Sequence, residues 1–235
     1  MRKICIIGAA CNASDLPLSG EREYWSVNNL YHQFSGVKFT RWFELHTFER
    51  ANNRYIRRGV DQYGGISVDK YMREIDALNI PVYMQRKWGK IKGSRIFPFK
   101  EIMMHYGDYF GCSFAWMLGL ALLEHEKGQK IERLSFYGVA LDGQEYFYQR
   151  PSTEYMIGLA KGKGIQIYLH ETSSILKSPY RYAIDENFDF IQTIHVEPMK
   201  RAMTAFAGTL SSYMQDLVYS DQRKNAIPGQ NLLDE

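Results

Sequence analysis

The sequence predicts an α/β fold, a mostly parallel sheet sandwiched by helices. Short apolar runs recur along the first 170 residues. Between several of them, apolar residues return at helical spacing. From residue 113 onward the order helix, then strand, occurs twice. Strands alternating with crossover-length helices imply parallel pairing.

The first run, Lys3–Gly8, opens "KICIIGAACNASDLP" and gives way at Gly8 to small, turn-prone residues. Tyr24–Asn28, Phe39–Leu45 and Ile131–Gly138 are further strands, with weaker ones at Pro81–Met84 and Ile165–Leu169. Val68, Tyr71, Met72, Ile75 and Leu78 share one helical face over Val68–Leu78. Ser113–Glu126 (SFAWMLGLALLEHE) is apolar almost throughout to Leu123, the mark of a helix buried on most sides. Ser152–Lys161 follows Pro151 and reads as another helix. Together these elements describe a Rossmann-like domain over residues 1–196. Two segments fit the core poorly. Residues 85–100, "QRKWGKIKGSRIFPFK", carry six basic residues and no acid, and read as a basic lid-like insertion. Residues 197–235 hold a C-terminal helix and tail, with Met199, Met203, Phe206, Leu210, Tyr213, Met214 and Leu217 as its stripe. That stripe packs on the domain or on a second subunit in a homodimer.

Composition narrows the class. The chain has 235 residues, 45% apolar and 23% charged, which is ordinary for a globular protein with a sizeable core. A net charge of +3 is too small to argue for nucleic acid by itself. The three cysteines form no CxxC pair, which speaks against a disulfide framework or a zinc site. The apolar run near the N-terminus is too short for a signal peptide, and no run reaches the ~18 residues of a membrane span. A cytoplasmic protein with no membrane partner is the expectation. No HxxxH or HExxH occurs among the six scattered histidines, so no metal is expected.

In an open parallel sheet, ligands sit beyond the carboxyl ends of the strands. "GAACNAS" lacks the GxGxxG of a dinucleotide site, since Gly8 is its only glycine. Its small residues still allow a ligand near the backbone, and Asn12 and Ser14 add polar side chains. Asn28 and Asn29 end the second strand, where amides complement a base or ribose. "FYGVALDGQEYFYQRPSTEY" gathers Asp142, Glu145, Tyr146, Tyr148 and Arg150 at a strand end. Arg150 suits bidentate grip of a phosphate, and the tyrosines can donate to the same anion. In "RWFELH", Glu44 and His46 share one face of a strand, either as a proton-transfer pair or as a hydrogen-bonded pair at the sheet edge. His105 and His170 each fall near a rim of the expected sheet. Trp88 and Phe97 are interleaved with the basic run Arg86–Lys100, a mix suited to stacking on nucleic acid or a sugar-nucleotide.

The order of these motifs, with "VNNLY", "GCSFAWMLGLALLE" and "IERLSFYGVALDGQEYFY", resembles the family 42 sialyltransferases and related Rossmann-like proteins carried by bacteriophages. The likeness covers residues 3–45 and 109–175. It implies that Asn12 and Ser14 hold the phosphates and ribose of a nucleotide, and that Asn28 or Asn29 reads its base. Ser113 matches the residue opening the family's buried helix, and Tyr146 and Tyr148 match tyrosines that steady the leaving phosphate. The family's general-base histidine follows the aromatic loop, yet residues 139–169 contain no histidine. Asp142, Glu145, His105 and His170 are then the candidate bases. The expectation is a metal-independent, glycosyltransferase-like transferase that uses a nucleotide-linked donor as co-substrate and no cofactor. The alternatives are a non-catalytic protein that binds or sequesters a nucleotide ligand, and a nucleic-acid-binding module.

Overall fold

Strand β1 (Arg2–Ile7) lies inside a seven-stranded sheet in which every pairing is parallel. The computed structural model describes residues 1–51, 54–57, 62–63, 65–143, 146, 148–178, 181, 184, 199–211 and 214. After β1 come β2 (Glu23–Val27) and β3 (Arg41–Glu44), then two short antiparallel pairs, β4 (Phe48–Ala51) with β5 (Arg54–Arg57) and β6 (Gln62–Tyr63) with β7 (Ile66–Ser67). Helix α1 (Val68–Ala77) leads to β8 (Val82–Met84) and β9 (Ser94–Ile96). Helices α2 (Phe99–Tyr106) and α3 (Ser113–Glu126) precede β10 (Ile131–Tyr137), and α4 (Arg150–Gly162) precedes β11 (Gln166–Leu169). The strand order is β11-β10-β1-β2-β3-β8-β9. The chain therefore builds outward from β1 in one direction, then returns to lay β10 on its other side. The reversal falls between β1 and β10.

Parallel strands covered on both faces read as continuous apolar runs, and β1 obeys this. Its alternate residues feed two cores: Ile4 and Ile6 join Trp25, Phe43 and Phe136 beneath α3 and α4, whereas Cys5 and Ile7 join Trp42, Val82 and Tyr71 beneath α1. Helix α1 is capped by Ser67, whose hydroxyl accepts from the Lys70 amide at 3.3 Å, and buries Val68, Tyr71, Met72 and Ile75 along one stripe. Helix α3 buries Ala115 and every residue from Met117 to Leu123. Each of the buried leucines and Met117 contributes about 1.5–3 kcal/mol when fully buried. Gly119 lets α2 come close: a Cβ there would lie 2.7 Å from Ile102 Cγ2.

The basic stretch 85–100 belongs to the sheet rather than standing apart as a lid. Its residues Ser94–Ile96 form the edge strand β9, paired to β8. Trp88 and Phe97 are buried in the two cores, so neither ring is presented for stacking on nucleic acid. The cations Arg86, Lys87, Lys90, Lys92, Arg95 and Lys100 stay on the surface, and Arg86 lies 4.3 Å above the Trp88 ring.

The chain divides into two units, Met1–Lys177 and Ser178–Glu235. In the second, residues 199–211 and 214 are helical. Tyr213 and Leu217 of the expected stripe lie outside the described residues. Among the described residues, no helix is long and apolar enough to cross a membrane.

Candidate functional site

The exits of β1 and β10 are sewn together. The Gly8 amide donates to the Tyr137 carbonyl at 2.8 Å, and the Ala10 amide donates to the Gly138 carbonyl at 3.0 Å. A Cβ on Gly8 would sit 2.4 Å from Gly138 O, and one on Gly138 would sit 2.5 Å from the Cys11 nitrogen. Gly138 also has φ +63°, in the left-handed region. Both glycines are needed for this seam, and Gly8 does not line the cavity beside it. Beside the seam, over the carboxyl ends of β1, β2, β3 and β10, lies a cavity of about 710 Å3. That volume falls in the range of small-molecule sites.

Five sets of residues line it. Ala9 and Ala10 come from the β1 exit, and Asn28, Asn29 and Leu30 from the β2 exit. Leu45 and His46 come from the β3 exit, with Gln85 beside them. The start of α3 supplies Gly111, Cys112, Ser113, Phe114 and Trp116. The β10 exit supplies Ala140, Leu141, Tyr146, Tyr148 and Gln149. Phe110 stacks on Trp116 with centroids 3.9 Å apart, and Phe99 meets Trp116 edge-on at 4.8 Å, giving one wall of the cavity a rigid aromatic surface.

Polar groups converge on this hollow. Asn28 holds φ +57°, fixed by its amide donating to Phe43 O and its carbonyl accepting from Trp42 Nε1. Its side-chain Oδ1 is buried with no hydrogen-bond partner among the described residues. A buried acceptor left unpaired costs about 1–3 kcal/mol unless something bonds it. At the start of α3, the Cys112 side chain makes no capping bond, and the first intrahelical bond runs from the Trp116 amide to Cys112 O. The amides ahead of Trp116 carry the partial positive charge of a helix N-terminus. Among the described residues, no lysine or arginine lines the cavity. Positive potential there rests on these amides.

His46 is the best-supported titratable group at the site. Its Nδ1 and its backbone N–H both bond Glu44 Oε1, and the Tyr71 hydroxyl of α1 donates to Glu44 Oε2. Glu44 is fully buried. A buried carboxylate persists only where donors surround it, and three do so here.

Several of the sequence-expected site residues lie elsewhere. Asn12 and Ser14 sit in and beside an exposed 3-10 turn, Ala13–Asp15, and do not line the cavity. Arg150 is committed to structure: its Nε bonds Glu154 and its Nη1 bonds Asp142, each at 2.8 Å, while Nη2 donates to the carbonyls of Ser174 and Lys177. It ties the β10 and β11 exits together, which leaves it no fork for a phosphate and holds Asp142 in an ion pair. His105 lies near the far end of α2, 3.6 Å from Glu126. His170 is half-buried beyond β11, bonded to Thr172 at 2.9 Å and stacked on Tyr137. Neither histidine lines the cavity. Glu145 lies outside the described residues. Asn28, Asn29, Ser113, Tyr146 and Tyr148 are the ones brought together. Cys112, Phe110 and Trp116 escaped the sequence reading, because a helix start rich in apolar residues gives no signal of what it faces.

The thiols differ by position. Burial pushes Cys5 and Cys11 up to about 11 each, whereas Cys112 is only partly buried at the cavity wall. Among the described residues, no cluster of three or more His, Cys, Asp or Glu is placed to hold a metal ion. Comparison of the chain with protein-family models, with characterised proteins and with solved structures finds no match in any of the three.

Proposed function

We propose that this chain is a transferase that takes a nucleotide-linked donor into the cavity at the carboxyl edge of its sheet, with glycosyltransferase-like chemistry. The observation that carries the reading is the convergence on one cavity of Asn28 and Asn29, the uncapped start of α3 and the tyrosines of the β10 exit. Asn28 and Asn29 suit the hydrogen-bonding edge of a base or a ribose. The amides at Ser113 and Phe114 suit a phosphate, and Tyr146 and Tyr148 suit the same group as it departs. The aromatic wall of Phe110 and Trp116 offers a stacking surface. The resemblance to family 42 sialyltransferases supports the same assignment for Ser113, Asn28 and the tyrosines, and does so less for Asn12 and Ser14. Phosphate would be held by amides and hydroxyls, without a lysine or arginine in the lining.

The purified protein is to be incubated with a panel of nucleotide-sugars and the parent nucleotides. Calorimetry reads binding and mass spectrometry reads donor breakdown or transfer. The proposal expects saturable binding and release of free nucleotide, both weakened by Ser113→Ala and Tyr148→Phe. Absence of binding across the panel contradicts it. A second reading, a protein that sequesters a nucleotide ligand, is favoured by the lack of histidine in residues 139–169. Tight binding with no turnover selects it.

A further inference from the structure

We infer that His46, held by buried Glu44 and by Tyr71 behind it, is the proton-accepting residue of this cavity, in place of a histidine after the aromatic loop. The inference rests on the transferase reading for its substrate and on geometry for its residues.

Glu44 closes β3, and its side chain leaves the sheet on the α1 face with Trp42 two residues earlier. There it is sealed from water, with Tyr71 of α1 on one oxygen and His46 on the other. The His46 backbone N–H, 3.1 Å from Oε1, can only donate, so the carboxylate is held as an acceptor. Nδ1 of His46 then carries the proton facing Glu44, and the lone pair belongs to Nε2 on the opposite side of the ring. His46 is half-buried and lines the cavity, whereas Glu44 and Tyr71 do not. A carboxylate behind an imidazole fixes its tautomer and stabilises the imidazolium that forms when Nε2 takes a proton.

The step balances as follows. The acceptor hydroxyl gives its proton to His46 Nε2 as its oxygen bonds the donor carbon. The bond from that carbon to the phosphate oxygen breaks, and its electron pair leaves with the nucleotide phosphate. Glu44 and Tyr71 touch neither substrate, so they are positioning residues and His46 is the catalytic one.

Imidazole 15N NMR of the full chain, with kinetics on the same samples, tests this. The wild type should show His46 with a protonated Nδ1 and an unprotonated Nε2 at neutral pH, and its Nε2 resonance should move when nucleotide-sugar is added. His46→Asn should lower kcat by about 100-fold or more with KM changed less than about threefold. Tyr71→Phe, which leaves the Glu44–His46 contact in place, should lower kcat by a smaller factor without changing KM. Glu44→Gln should abolish the tautomer preference, and thermal melts show whether it remains folded. A wild-type Nε2–H tautomer overturns the inference, as does full turnover by a folded His46→Asn protein. If the tautomer is as expected but nothing in the panel binds, the donor class is wrong and the oriented histidine stands. If donors bind and turn over without His46, the donor class stands and the inference falls.

Discussion

The two edges of the sheet are built to opposite rules. At the amino edge, Arg2 of β1, Glu23 of β2, Arg41 of β3 and Glu124 of α3 form a closed ring of charges. Arg2 bonds Glu23 at 2.5 Å and Glu124 at 2.8 Å, and Arg41 reaches Glu124 at 2.6 Å and Glu23 at 3.4 Å. Trp25 adds its indole N–H to Glu23 at 2.9 Å, and Arg41 lies 4.6 Å above the Trp25 ring. In the hollow of about 510 Å3 beside this ring, Lys3 is paired to Glu132 at 3.4 Å and Arg22 donates to the carbonyls of Pro17 and Ser19. At the carboxyl edge the cavity has two asparagines, uncapped helix amides and a histidine braced from behind. The amino edge spends its charges on one another, whereas the carboxyl edge leaves the first amides of α3 without a side-chain cap.

The difference can be broken most severely at the seam that floors the cavity. Gly138→Ala places a Cβ against the Cys11 amide at a left-handed position, and should destabilise the fold by about 3 kcal/mol or more in denaturant titration. A loss below about 1 kcal/mol would show that the seam yields.

Next in size is the ring of charges. Glu124→Gln leaves two largely buried guanidiniums short of a carboxylate and should cost about 2 kcal/mol. Burial would raise the Glu23 pKa, but its hydrogen bonds to Arg2 and Trp25 outweigh that and hold it below the ordinary value of 4.5. Its contribution is therefore present above 4.5 and is lost as pH falls through the lower folded pKa. Glu23→Gln should flatten the acid limb of the stability curve, and an unchanged limb would remove Glu23 from the account.

A smaller effect, of opposite sign, belongs to the carboxyl edge. Asn28→Gly relieves a left-handed asparagine and deletes the orphaned oxygen, so the protein should gain about 0.5 kcal/mol. The same change should weaken nucleotide binding about tenfold, or about 1.4 kcal/mol. A stabilised variant with full affinity would show that Asn28 is not a ligand group. The mildest test is thiol labelling near neutral pH. Cys112 should react first and be shielded by ligand, with Cys5 and Cys11 protected by burial. Equal reactivity of all three would contradict the cavity wall.

Sequence pattern revealed the fold well wherever strands were long or buried on both faces. The runs Lys3–Gly8, Tyr24–Asn28, Phe39–Leu45 and Ile131–Gly138 all appear as strands, as do the weaker two, and Ser113–Glu126 is a helix over its whole length. β9 was hidden because its three residues, Ser-Arg-Ile, sit in a basic stretch at the sheet edge, where only Ser94 is buried. Helix α2 was hidden by its eight-residue length and by Pro98 and Gly107 at its two ends. The site was less legible. Spacing alone could not tell that Arg150 spends its donors on Asp142, Glu154 and two carbonyls, because those partners come from three separate segments. Glu44 and His46 were visible as neighbours on a strand, but Tyr71, which completes the set, lies 27 residues from Glu44.

The central claim is that the carboxyl edge, and only that edge, receives a nucleotide-linked molecule. Backbone amide NMR of the full chain, titrated with nucleotide-sugars and their parent nucleotides, tests it most directly. The account predicts saturable shifts concentrated at Ala9, Ala10, Asn28, Asn29, Ser113 and Phe114, with the amides of Arg2, Glu23 and Arg41 unmoved. Shifts centred on the amino edge, or none at any concentration, would contradict it.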